Sequence, residues 1–244
     1  MYEIKVNKID NPENRVIAMA SITIDEKFVL NSIKVIKSDN PNNERGFFVG
    51  MPSFKSSKTD ENGKDQYVEF FHPTKKEISD LIYSAVAKSL ATGESVKFRE
   101  GQKESFSTYV RPVSYENSAT KGFVTISIKP EGAVAKEGEE KVTDFLIDSV
   151  RVNESSKDGK LFVAAPSVKN KDGEYKELCY PITKEFREEL YGDILNKYDI
   201  SLGKEADKSN EASKTFEKGV SENINDIAKG GELNEGVINS NKSR

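Results

Sequence analysis

Two runs of basic residues offer the most chemistry in this chain. Lys55, Lys58 and Lys64 follow the dipeptide Pro52-Ser53, with Lys75 and Lys76 a little further on. Lys169, Lys171 and Lys176 follow a second dipeptide, Pro166-Ser167, with Lys184 and Arg187 beyond them. If such a loop and the free amides at a helix start come together, they form a cationic rim suited to phosphate groups. Asp60, Glu61, Asp65, Asp172 and Glu174 dilute both runs, so an ordinary solvated loop is the competing reading. Catalysis has less material. His72 is the sole histidine and Cys179 the sole cysteine, which excludes a repeated His-paired triad, a multi-histidine metal site and an intrachain disulfide. His72 precedes Pro73, a packing or turn position, and Cys179 reads as a small buried hydrophobe. Neither a glycine-rich phosphate loop nor a Gly-x-Ser-x-Gly elbow is present. Glu69 and Glu177 read as lone exposed carboxylates in mid-strand. The expectation is no catalytic residue, no metal and no cofactor.

The two basic runs correspond because the chain is a tandem repeat. Phe47-Phe48-Val49-Gly50-Met51-Pro52-Ser53 returns as Leu161-Phe162-Val163-Ala164-Ala165-Pro166-Ser167, and Tyr67 to Thr74 returns as Tyr175 to Ile182. Upstream, Phe28 to Val35 answers Phe145 to Val152, and Ala20 to Ile24 answers Val124 to Ile128. Four blocks in the same order define two related domains. The copies differ in loops: the second inserts Pro130 to Lys141, and the first has the longer connection after Pro-Ser, changes that cost little closure entropy.

Within each copy the periodicity is that of strands followed by a helix. Ala18, Ala20, Ile22 and Ile24 alternate with polar neighbours, and Val29, Asn31, Ile33 and Val35 are expected to share the buried face of the next strand. Asn31 and its counterpart Asp148 interrupt that face, which predicts a bulge or a sheet edge. Asn62-Gly63 and Asp172-Gly173 are hairpin turns, and they predict that the Phe47 to Ser53 strand pairs with Tyr67 to Phe71. Thr74 and Glu77 form a capping-box pattern ahead of a helix with Ile78, Leu81, Ile82, Ala85, Val86 and Leu90 on one stripe. A second helix is expected from Thr183, with Phe186, Leu190, Ile194, Leu195 and Tyr198 on one side. The fold class is α+β: two tandem repeats, each a mainly antiparallel sheet of about five strands plus one C-terminal helix. The boundaries are 1–92 for the first domain, 93–104 for a linker, 105–200 for the second domain and 201–244 for a flexible polar tail. Phe216, Val220, Ile224 and Ile227 give the tail a short helical spacing that is marginal in isolation, so disorder or folding on a protein partner is expected there.

Composition agrees with a soluble, reduced setting. With 37 Lys and Arg against 41 Asp and Glu, the net charge is −4, and neither domain is the strongly basic body usual for nucleic-acid binders. The single cysteine, the lack of an apolar run near membrane-spanning length and the strand-like N-terminus predict a cytoplasmic protein with no membrane partner. The mean hydropathy of −0.64 is low for one packed globule, as a polar tail requires.

Both halves resemble the SpoVG family of bacterial septation regulators. Ala20-Ser21-Ile22-Thr23-Ile24-Asp25, Phe28-Val29, Ile33-Lys34-Val35-Ile36, Phe48-Val49-Gly50-Met51-Pro52-Ser53 and His72-Pro73 follow its pattern through residues 1 to 90. The second half keeps Leu161-Phe162-Val163-Ala164, Pro166-Ser167, Asp172-Gly173 and Pro181, and is a diverged copy. The resemblance implies a five-stranded domain with a helix that pairs as a dimer. Here that becomes a pseudo-dimer within the chain, or a homodimer. It also implies a regulator of gene expression, sporulation and septation that binds DNA or RNA. Lys55, Lys58, Lys64, Lys75, Lys76, Lys169, Lys171, Lys184 and Arg187 are the residues expected to meet nucleic acid, and a protein-interaction or assembly module without nucleic acid is the alternative.

Overall fold

The structure is a computed structural model that describes residues 1–10, 15–134, 142–169 and 173–203. The expected tail beyond 203, Lys171, Asp172 and part of the inserted loop lie outside the described residues. Met1–Asp199 forms one compact unit. The first half supplies β1 (Tyr2–Lys8), β2 (Val16–Ile24), β3 (Phe28–Lys37), β4 (Phe47–Gly50), β5 (Ser53–Thr59), β6 (Asp65–Glu69), β7 (Phe71–Pro73) and helix α1 (Lys76–Thr92). After α1 comes β8 (Val96–Phe98), a strand within the stretch read as linker. The second half supplies β9 (Glu104–Pro112), β10 (Thr120–Pro130), β11 (Phe145–Glu154), β12 (Leu161–Ala164), β13 (Ser167–Lys169), β14 (Tyr175–Glu177) and β15 (Cys179–Pro181). Helix α2 covers residues 184–203.

Each half builds an antiparallel meander, and each completes the other's. In the first sheet β8, β1, β2 and β3 lie side by side, and the outer edge of β3 carries β4 along residues 34–37 and β15 of the second half along Phe28 to Leu30. In the second sheet β9, β10 and β11 lie side by side, with β12 along residues 151–154 and β7 of the first half along Phe145 to Ile147. A three-residue strand has too few hydrogen bonds to stand alone, so β7 and β15 are ordered by the sheets they join. This reciprocal exchange is the pseudo-dimer inside one chain.

The interruption at Asn31 and Asp148 makes the exchange possible. Ser32 and Ser149 have φ of 64° and 68°, in the left-handed region that costs a non-glycine residue about 1–2 kcal/mol. Ladder registers shift opposite both sites, between Ala20 and Ile22 and between Val124 and Ile126. The result is a bulge, as expected, but its effect on the pattern corrects the expected face of β3. The extra residue changes phase, so Phe28 and Leu30 join Ile33 and Val35 in the core while Asn31 leaves it. At the bulge the Asn31 amide donates to the Leu178 carbonyl at 2.7 Å, and the Asp148 amide donates to the Phe70 carbonyl at 2.8 Å. The same bond therefore ties each half to the other.

Two local expectations are corrected. The expected pairing holds only at its end, where Ser53 lies opposite Glu69; Phe47 to Gly50 does not pair with the Tyr-x-Glu strand, because β4 pairs with β3 and stops ahead of Pro52, which has no N–H for the ladder. The chain then leaves the sheet, and β5 pairs with β6 across a turn that has Gly63 at φ 73°. The Thr74 capping box does not form either. The N-cap is Lys75 without a side-chain bond, the Thr74 hydroxyl donates to the Thr143 carbonyl of the second half, and Glu77 pairs with Arg99. At α2 the Thr183 hydroxyl does cap, accepting from the Phe186 amide at 3.2 Å.

Both helices bury the expected stripes: Ile78, Ile82, Ala85 and Val86 on α1, and Phe186, Leu190, Ile194 and Tyr198 on α2. Aromatic rings fill the junction between halves, with Tyr2 against Phe145 at 5.7 Å and Phe28 against Phe106 at 5.5 Å between ring centres. These are equivalent pairs in the two repeats. Phe71 is fully buried on an exchanged strand, so Phe71→Ala is expected to destabilise the protein by about 3–5 kcal/mol. Urea unfolding should show both halves lost in one transition, whereas two separated transitions would contradict the exchange.

Candidate nucleic-acid interface

Beyond Pro52 and Pro166 each half extends a two-stranded arm, β5–β6 and β13–β14. The registers correspond position for position. Ser53 faces Glu69 as Ser167 faces Glu177, and Lys55 faces Tyr67 as Lys169 faces Tyr175. Directly opposed residues share a face of an antiparallel pair, so both arms present a lysine beside a tyrosine. Tyr67 is 66% exposed and Tyr175 73%, large values for aromatic rings in a strand. The Lys169 ammonium lies 6.0 Å from the centre of the Tyr175 ring, and Lys55 pairs with Asp65 at 2.7 Å. On the other face the Phe54 ring packs at a tilt against buried Phe70, 5.0 Å between centres, which anchors the first arm to the body.

Where the arms meet the body, a cleft of about 380 Å³ is lined by Phe54 of the first arm, Tyr175 of the second, and Ser149, Arg151 and Asn153 of β11. Arg151 is exposed, and among the described residues the buried Oδ1 of Asn153 has no hydrogen-bond partner. A cation and two aromatic side chains can together hold a flat, anionic ligand.

The expected cations divide between this region and others. Lys55, Lys58, Lys64 and Lys169 are exposed on the arms. Lys76 and Lys184 pair along their own helices with Asp80 at 2.9 Å and Glu188 at 3.7 Å, and Arg187 donates to the Pro181 carbonyl at 3.0 Å. Lys75 turns into the junction, where its ammonium meets Asp144 at 3.1 Å and the Val142 carbonyl at 3.0 Å. Lys171 lies outside the described residues. Sequence reading missed Arg151 and the tyrosines. The repeated Tyr-x-Glu is visible in the sequence, but its exposure is not, because the sequence does not show that its strand lies outside the main sheet.

The remaining singled-out residues have the following places. His72 sits in exchanged strand β7 opposite Leu146. Cys179 is buried in β15, and burial pushes its thiol above the usual range. Glu69 and Glu177 are exposed. Glu104 was not anticipated. Its side chain is fully buried at the junction, and burial, opposed by the Met1 ammonium 3.8 Å away and reinforced by nearby Asp144, pushes its carboxyl up to about 7. No helix among the described residues is long and apolar enough to cross a membrane.

The comparisons with known proteins agree with this architecture. The SpoVG family profile matches residues 1–91 and 140–200, and the chain belongs to the SpoVG family. Its relatives include SpoVG of Finegoldia magna, 33% identical over 113 residues (46% of this chain and 87% of the relative), and SpoVG of Lachnospira eligens, 34% identical over 95 residues (39% and 94%). Both relatives are named provisionally as septation proteins. No solved structure matches significantly.

Because the folded pKa of Glu104 lies above its ordinary 4.5, the folded state holds a proton that the unfolded chain releases. That contribution is complete below about pH 4.5 and lost as pH rises through about 7. Glu104→Gln, which stays neutral, is therefore expected to gain stability over the parent between pH 5 and pH 8. Melting temperatures across that range check this, and a pH-independent difference would contradict it.

Proposed function

We propose that this protein is a non-enzymatic regulator that binds nucleic acid through its two arms and the cleft between them. The observation that carries the reading is the lysine–tyrosine pair repeated on both arms, Lys55 with Tyr67 and Lys169 with Tyr175. Exposed aromatics stack on unpaired bases of any sequence while cations follow the phosphates. The near-neutral body fits this mode better than duplex binding, which needs a broad basic face. Arg151 and 73%-exposed Tyr175 would then hold one base and its phosphate. Family membership supports a role in regulation, and the relatives' names suggest septation as the setting.

A second reading, a protein-interaction module, draws on β6. Each of its residues is exposed, and among the described residues it pairs only with β5. Such an edge can accept a strand from another protein.

Fluorescence anisotropy with short single-stranded DNA, RNA and duplex DNA at two salt concentrations tests the first reading. The unpaired strands should bind more tightly and with salt sensitivity. Replacing both Tyr67 and Tyr175 with alanine should weaken binding by about 1–3 kcal/mol per stacked base, and Lys55→Glu with Lys169→Glu should weaken it and flatten the salt dependence. Absence of binding at low salt, with a protein partner that survives nuclease treatment, would favour the second reading.

A further inference from the structure

The two halves share a fold but carry opposite charges at the equivalent junction position. Asp144 immediately precedes β11 as Lys27 immediately precedes β3, and both serve the exchange with their backbone: the Asp144 carbonyl accepts from the Thr74 amide and the Lys27 carbonyl from the Ile182 amide, each at 2.9 Å. Their side chains meet different surroundings. The Asp144 carboxylate is fully buried and receives the Lys75 ammonium, the Arg99 guanidinium and the Tyr2 hydroxyl at 3.3 Å, all from the first half or the connection after it. Lys27 lies over two aromatic rings of the second half, 5.1 Å from the centre of Phe106 and 4.7 Å from that of Phe186. By the repeat alignment Tyr2 corresponds to Phe106 and Lys75 to Thr183.

From this asymmetry we infer that the junction is a sorting surface: each half accepts the other kind of half and rejects a copy of itself. Two first halves docked in the same way would set Lys27 against Lys75 and Arg99, three cations with Asp144 gone and the exposed Glu77 beside Arg99. Two second halves would set Asp144 among Phe106, Phe186 and Thr183, with a threonine where the Lys75 ammonium stands. An isolated buried charge, or like charges in contact, costs far more than a satisfied pair gains, and such rejection of the wrong partner is how related surfaces achieve specificity. The partner that the outer edges of β3 and β11 fit is therefore a complementary half, from the same chain or by exchange with a second copy of the chain. A homotypic pair of first halves, the arrangement natural to a single-repeat dimer, is shut out.

The test uses the whole chain with a protease site inserted between Glu100 and Gly101, which leaves Arg99 with the first half. After cleavage, unfolding in urea and refolding, native mass spectrometry should find mixed pairs in excess over self-pairs by about tenfold or more, as one lost buried partner implies. Lys27→Asp supplies an anion to Lys75 and Arg99 in a self-pair, so the same experiment on that variant should raise first-half self-pairs by a similar factor. A random mixture in the parent, or an unchanged ratio in Lys27→Asp, overturns the inference. Independently of refolding, the uncut chain should show coupling of about tenfold or more in the unfolding constant between Lys75→Ala and Asp144→Ala. Additive effects there also overturn it.

Discussion

The reciprocal exchange of two three-residue strands is the constraint on which the rest depends. β7 and β15 leave their own repeats and complete the sheets of the other. For this, the edges of β3 and β11 must carry two partners in series, the repeat's own β4 or β12 and the visitor. A straight strand would hold its whole hydrophobic set in one phase. The bulges at Asn31-Ser32 and Asp148-Ser149 break the phase, keep Phe28, Leu30, Ile33 and Val35 all buried, and turn one amide toward the visiting chain. The strained serines are offset by a hydrogen bond and by the burial of Phe71 and Cys179.

Because the exchange consumes Phe71 to Pro73 and Cys179 to Pro181, the residues just before them are left outside both main sheets. Proline at 52 and 166 ends the anchor strands, and the chain between proline and exchanged strand has only itself to pair with. The arms follow from that geometry. They stand at the margin of a rigid body, with Tyr67 and Tyr175 exposed at matching positions and Phe54 gripping Phe70 at the base of the first. Binding groups on such arms are positioned by the core yet remain free of it, a common division of labour between scaffold and loop. Asp144, Lys75 and Arg99 meet inside the junction, where they tie the first half and the connection after it to the second half.

Much of this was legible in the sequence wherever a feature occurred twice. The repeat, the strand order, the apolar helix stripes and the irregularity at Asn31 and Asp148 all emerge from paired blocks and periodicity. Long-range choice of partner did not, because strand pairing has no local signature beyond the turn. Asn62-Gly63 marks a hairpin correctly but does not say which residues flank it, so β4 was joined to β6 when Pro52 had already ended the ladder. The same limit hid the Asp144 cluster. Thr74 and Glu77 fit a capping box, and only the fold could show Thr74 engaged with Thr143 and Lys75 with Asp144. Of the residues proposed to bind, the arm lysines are visible in the sequence as charge. Tyr67 and Tyr175 were visible only as landmarks, since exposure of a strand tyrosine depends on what covers the sheet.

Hydrogen exchange at two amides tests the exchange most directly. The Asn31 N–H is held by the second half and the Asp148 N–H by the first. If the halves are locked by mutual strand donation, both amides exchange only with global unfolding, at the same free energy and with the same denaturant dependence. Rapid exchange of either one while the core amides of its own sheet, such as those of Ile22 or Ile126, stay protected would mean that the visiting strand detaches freely, and the account would fail at its foundation.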